Sequence, residues 1–97
     1  MRGMRKTPEY CERVEEGLDF YRMPKGTNAG VRSIVVDLSE VIALCEGERR
    51  NTIRLYLRSG STICVHGSKA LEDEILSIVA EIRHELAYTS FINKNTI

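Results

Sequence analysis

Thr52-Ile53-Arg54-Leu55-Tyr56-Leu57-Arg58-Ser59-Gly60-Ser61-Thr62-Ile63-Cys64-Val65-His66 carries two short runs separated by a serine-glycine turn. In the first run Ile53, Leu55 and Leu57 alternate with Thr52, Arg54 and Tyr56, the two-residue period of a strand with one buried face. A two-residue loop Ser59-Gly60 would set Ile63 against Tyr56 and mix the faces. Pleated strands do not tolerate such a slip. A three-residue loop Arg58-Ser59-Gly60, with Gly60 left-handed, removes the conflict. It pairs Leu55 with Ile63 and Ile53 with Val65 on one face, and Tyr56 with Thr62, Arg54 with Cys64 and Thr52 with His66 on the other.

Working outward, Gly67 ends the strand and Ser68 is a helix cap. Leu71, Ile75, Ile78, Val79, Ile82 and Leu86 then recur at helical spacing and form one apolar stripe, which predicts a helix over 68–86 lying across the Ile53, Leu55, Ile63 and Val65 face. Glu72, Asp73 and Glu74 in its first turns complement the helix dipole, as do Arg83 and His84 near its end. Upstream, residues 31–37 and 41–46 read as two further strands, and Gly47-Glu48-Arg49-Arg50-Asn51 as a polar turn. Pro24-Lys25-Gly26-Thr27-Asn28-Ala29-Gly30 concentrates turn formers and reads as a loop. Before it, Thr7, Pro8 and Glu9 suit a helix start, and Tyr10, Val14, Leu18 and Tyr21 share one helical side. Gly17 weakens that helix, and a helix over 8–16 followed by an extended 18–22 is the alternative.

The expected fold is α+β: a three- or four-stranded antiparallel β-meander, with strands near 31–37, 41–46, 52–57 and 61–66, packed by one C-terminal helix. The 97 residues make a single domain. It divides into an N-terminal arm and loop over 1–30, a compact block over 31–86 and a polar tail over 87–97. In that tail Tyr88, Phe91, Ile92 and Ile97 suggest either fraying or docking onto a partner.

Fourteen basic residues balance fourteen acidic ones. A dedicated nucleic-acid binder carries a surplus of Lys and Arg, so the balance disfavours that class without forbidding a local basic face. The longest wholly β-branched apolar run is Ile34-Val35-Val36, far short of the roughly 20 residues of a membrane span. The start of the chain lacks the apolar stretch of a secretory signal. Cys11, Cys45 and Cys64 are odd in number and widely spaced, which argues against a disulfide framework and for a cytoplasmic protein.

The candidate binding face is formed by Arg54, Tyr56, Cys64 and His66, extended at the strand ends by Arg49, Arg50 and Arg58. An aromatic beside arginine on an open sheet can stack a base and hold a phosphate. The same pattern is also what any antiparallel sheet with one wet face shows, and burial against the N-terminal segment or a second copy is the preferred use. Cys64 and His66 point the same way from one strand, and Cys45 could approach from its neighbour, but the close ligand pairs of a zinc site are missing. Pairing Cys64 or Cys45 with His66 or His84 for nucleophilic catalysis finds no support in spacing. The expectation is therefore a non-enzyme with no cofactor and no metal.

On the helix Glu72, Asp73, Glu74, Glu81 and Glu85 outnumber Lys69 and Arg83, whereas the N-terminus and hairpin carry Arg2, Arg5, Lys6, Arg49, Arg50, Arg54 and Arg58. Complementary surfaces of this kind suit a homodimer or higher homo-oligomer. Asp37-Leu38, Ile42-Ala43-Leu44, Ile53-Arg54-Leu55, Ser59-Gly60, Ile63-Cys64-Val65 and the helix from Ser68 follow a pattern that resembles the small flagellar protein family FlbD, over about residues 37–83. The turn at 47–51 is longer here, and the first 30 residues have no counterpart. The resemblance implies a bacterial sheet-plus-helix interaction module without enzymatic activity, with a motility-associated accessory role as one alternative. The partners expected are the chain itself and an unidentified protein, with nucleic acid as the runner-up and no membrane.

Overall fold

A computed structural model describes the backbone of residues 8–25 and 32–95 and the side chains of 8–25 and 32–85. Its elements are β1 (Glu12–Arg13), β2 (Phe20–Pro24), β3 (Ser33–Asp37), a 3₁₀ turn (Leu38–Glu40), β4 (Val41–Glu46), β5 (Thr52–Leu57), β6 (Thr62–His66) and α1 (Lys69–Asn95). The strands form two antiparallel sheets, ordered β1-β2-β3 and β4-β5-β6. The α+β class and the helix-closed meander stand.

The β5–β6 hairpin has the register that the pleat requires. Thr52 pairs with His66, Ile53 with Val65, Arg54 with Cys64, Leu55 with Ile63 and Tyr56 with Thr62. Gly60 sits at φ 97°, and its N–H bonds the Leu57 carbonyl at 2.9 Å while Leu57 N–H bonds Ser61, which is the three-residue loop. Ile53, Leu55 and Val65 are buried, and they join Leu71, Ile75, Ile78, Val79 and Ile82 of α1 in one core. At about 1.5–3 kcal/mol for each large apolar side chain, this shared face accounts for much of the driving force.

The strand over 31–37 does not belong to that meander. It pairs with β2, with Tyr21 opposite Val36 and Met23 opposite Ile34. The separation is made at the 3₁₀ turn: Asp37 accepts bonds from Ser39 N–H (3.0 Å) and Ser39 hydroxyl (2.6 Å), and Leu38 is wholly buried. The chain is turned there and cannot fold back as a hairpin.

The helix over 8–16 is replaced by bends around the two-residue β1 and a turn, while the extended alternative over 18–22 is met in part by β2. Gly17, at φ 87°, makes a turn between β1 and β2, and Tyr10, Val14 and Leu18, the would-be helical stripe, are exposed. Burial instead alternates along β2, with Tyr21 and Met23 in the core and Arg22 and Pro24 outside. Period two prevails because both residues then reach the same core as Ile53 and Leu55. Pro24 ends β2 rather than opening a loop; residues 26–30 of that loop lie outside the described chain. The helix runs nine residues past the expected 86, since no Gly or Pro follows Gly67 to stop it. The aromatic tail read as a docking element has its side chains outside the described residues.

One contact fastens the N-terminal segment to the helix. Consecutive amides of Glu9, Tyr10 and Cys11 converge on the Glu74 carboxylate at 2.6, 2.9 and 3.0 Å, and the Cys11 thiol donates to it at 3.3 Å. Successive N–H groups of this kind form an anion-holding nest, and bonds to a charged acceptor are the strong ones. Glu74→Ala should lower stability by about 1–2 kcal/mol, toward the low end for charged bonds because the freed amides can rehydrate. In hydrogen exchange the amides of 9–11 should lose protection while those of β5 and β6 keep theirs.

Candidate functional site

The β4-β5-β6 sheet has its apolar side in the core and its polar side in solvent. Cys11, Tyr21 and Met23 pack with the apolar side, so the described part of the N-terminal segment does not bury the polar face. Two rows cross the open face: Cys45–Arg54–Cys64 and Ala43–Tyr56–Thr62. Thr52 and His66 form a third pair.

Cys45 enters this face through a bulge. Between Val41 and Ala43 the register shifts by one residue, with Val41 opposite Leu57 and Ala43 opposite Tyr56. Without the extra residue, Ala43 and Cys45 would lie opposite Leu55 and Ile53 and point into the core. With it, Leu44 faces Leu55 and Cys45 faces Arg54. Sequence reading placed Cys64 and His66 on the face and left Cys45 as a possible neighbour, because a bulge has no local signature in Val41-Ile42-Ala43.

Within the face, Tyr56 hydroxyl is approached by Arg54 Nη1 at 3.5 Å and by Cys45 Sγ at 3.9 Å. The hydrogen bond to Tyr56, ahead of attraction to Tyr56, Glu48 and Cys45, holds the Arg54 guanidinium above its ordinary value, so it is always charged. Cys45 and Cys64 lie on either side of Arg54, two strand spacings apart and therefore roughly 9.5 Å, too far for one disulfide or one shared ion. Among the described residues there is no group of three or more His, Cys, Asp or Glu placed to hold a metal.

The remaining arginines do not gather. Arg49 and Arg50 are exposed in the turn at one end of β5 and line a depression of about 450 Å³ with Glu46, Glu48 and the start of α1. Arg58 stands at the other end, roughly 20 Å away along the strand, held by Glu40 at 3.7 Å and by the Ser39 carbonyl at 3.5 Å. Of the seven expected residues, Arg54, Tyr56, Cys64 and His66 share one surface. The other three mark its ends.

The helix acids are engaged within the chain. Glu74 holds the amide nest, while Lys69 bonds Asp73 at 3.0 Å and Glu72 at 3.5 Å. Cys11, which sequence reading did not distinguish from the other cysteines, is buried against Glu74; the contact spans 63 residues and has no local signal. Burial first, then the hydrogen bond and charge of Glu74, push its thiol up from 9.0 to about 12. Comparison with family models, curated proteins and solved structures found no match to this chain.

Thiol chemistry should therefore divide. A water-soluble disulfide reagent should titrate Cys45 and Cys64 quickly and Cys11 only on unfolding, since Cys11 alone is buried and disfavours its thiolate. The fold favours neutral Cys11, so its contribution is complete below about pH 9 and is lost as pH rises toward 12. Cys11→Ser should flatten that part of the stability profile relative to the parent, as read by urea melts between pH 8 and 11.

Proposed function

We propose that this protein is a non-catalytic interaction module that associates with itself through the β4-β5-β6 sheet. The observation that carries the reading is the open face bearing Cys45, Arg54, Tyr56 and Cys64, opposite a face already filled by α1 and β2. A sheet with one covered side offers its other side and its edges to a partner, and twofold pairing is the commonest arrangement for small soluble chains. The charge argument is narrower than composition suggests: Glu72, Asp73 and Glu74 serve internal contacts, which leaves the sheet, rather than helix-to-hairpin attraction, as the contact surface. The resemblance of 37–83 to the FlbD family is compatible with this reading.

The adjacency of Arg54 and Tyr56 supports the second reading, single-stranded nucleic-acid binding, because it places a cation beside a stacking ring. Self-association is favoured because Arg49, Arg50 and Arg58 do not converge on that pair.

Sedimentation equilibrium at micromolar concentration should report about twice the chain mass, and a clean monomer there would remove the self-association reading. Oligonucleotide affinity should be negligible at physiological salt. Tight binding that falls steeply with salt and is abolished by Arg54→Ala with Tyr56→Ala would put the second reading in its place.

A further inference from the structure

Hydrogen bonds in an antiparallel ladder alternate, so one bond fixes which way every peptide in the strand points. Gly47 N–H bonds the Thr52 carbonyl at 2.9 Å, and in the observed register Cys45–Arg54 and Ala43–Tyr56 are then the bonded pairs. The N–H and C=O groups of Leu44 and Glu46 point away from β5. The opposite border of the sheet passes the same test. Leu57 bonds Ser61, so Thr62, Cys64 and His66 turn outward along β6, and the Cys64 carbonyl is taken by Lys25 Nζ at 3.0 Å, beside β2.

No such cover exists on β4: among the described residues the outward groups of Leu44 and Glu46 meet no partner. The stretch Ala43-Leu44-Cys45-Glu46 is lightly guarded as an edge: it has no Lys and no Pro, the bulge lies at its near end, and its one charge, Glu46, stands at its far end. Ile42 and Cys45 are exposed.

We infer that β4 pairs antiparallel with β4 of a second copy, about a twofold axis at Cys45, making one six-stranded sheet; this rests on the self-association proposed above. The axis position follows from the outward groups. Leu44 and Glu46 flank Cys45 symmetrically, so an axis there sets Leu44 of each copy against Glu46 of the other and satisfies both donors and both acceptors, giving four bonds. An axis at Leu44 gives two, because Glu46 then meets the bulged Ile42. At the Cys45 axis the two Cys45 residues form a non-bonded pair with Cα atoms about 4.5 Å apart, within disulfide reach. The row Cys64–Arg54–Cys45 continues into its symmetry mate, and the two open faces become one.

The test uses the full chain. Glu46→Pro deletes one outward N–H and leaves the β4–β5 ladder whole, so under reductant the sedimenting mass should fall from two chains to one with an unchanged circular dichroism spectrum. Separately, diamide should oxidise Cys64→Ser to an interchain disulfide, two Cys45 thiols giving up two electrons and two protons to the reagent, whereas Cys45→Ser should stay uncrosslinked. This second arm decides the matter if Glu46→Pro fails to fold. A dimer that survives Glu46→Pro but is lost in Val35→Pro, on the edge of β3, overturns the β4 pairing and leaves self-association standing, as does crosslinking through Cys64 alone. A monomeric parent chain overturns both.

Discussion

Every strand contact in the second sheet is referred to the two-residue period of β5. Ile53 and Leu55 must face the core, so Arg54 and Tyr56 must face water, and the backbone parity that goes with this sends residues 53, 55 and 57 toward β6 and 52, 54 and 56 toward β4. A one-residue shift would expose the apolar set and bury an arginine, at a cost no surface contact offsets. Gly60 enforces the register on one side with a backbone conformation that glycine adopts without strain.

On the other side the same constraint is met by a bulge instead of a turn. Val41 has to be buried beside Arg83, which bonds its carbonyl, and Leu44 has to lie opposite Leu55. The extra residue Ile42 lets both happen, and its consequence is chemical: Cys45 moves from the core side to the open side and joins Arg54 and Cys64. The face thus owes its second thiol to a packing requirement.

The first sheet is held by a different kind of force. Its Tyr21, Met23 and Val36 merge with the core of the second, but the start of the chain is fastened by the Glu74 carboxylate in a nest of three amides. That contact converts part of the helix's acidity from a surface property into an internal one and, after burial, helps keep Cys11 a neutral thiol. A chain with equal numbers of basic and acidic residues can still be polar in its layout. Here much of the helix's negative share is consumed in cis, and Arg54 is left on the open sheet.

What the residues determined by themselves was whatever depends on near neighbours: the β5–β6 register, the three-residue turn at Arg58-Ser59-Gly60, the apolar stripe of α1, and the gathering of Arg54, Tyr56, Cys64 and His66 on one surface. These follow from periods of two and 3.6 and from one glycine. Tertiary structure decided the rest. Whether 8–16 coiled into a helix depended on Tyr21 and Met23 finding a core built from residues thirty or more positions later. Whether 33–37 joined the meander depended on a 3₁₀ turn that buries Leu38, and the side taken by Cys45 depended on a bulge. Glu74 became a clamp because it met amides more than sixty residues away. In each case the local pattern allowed two conformations, and contacts between distant parts of the chain separated them.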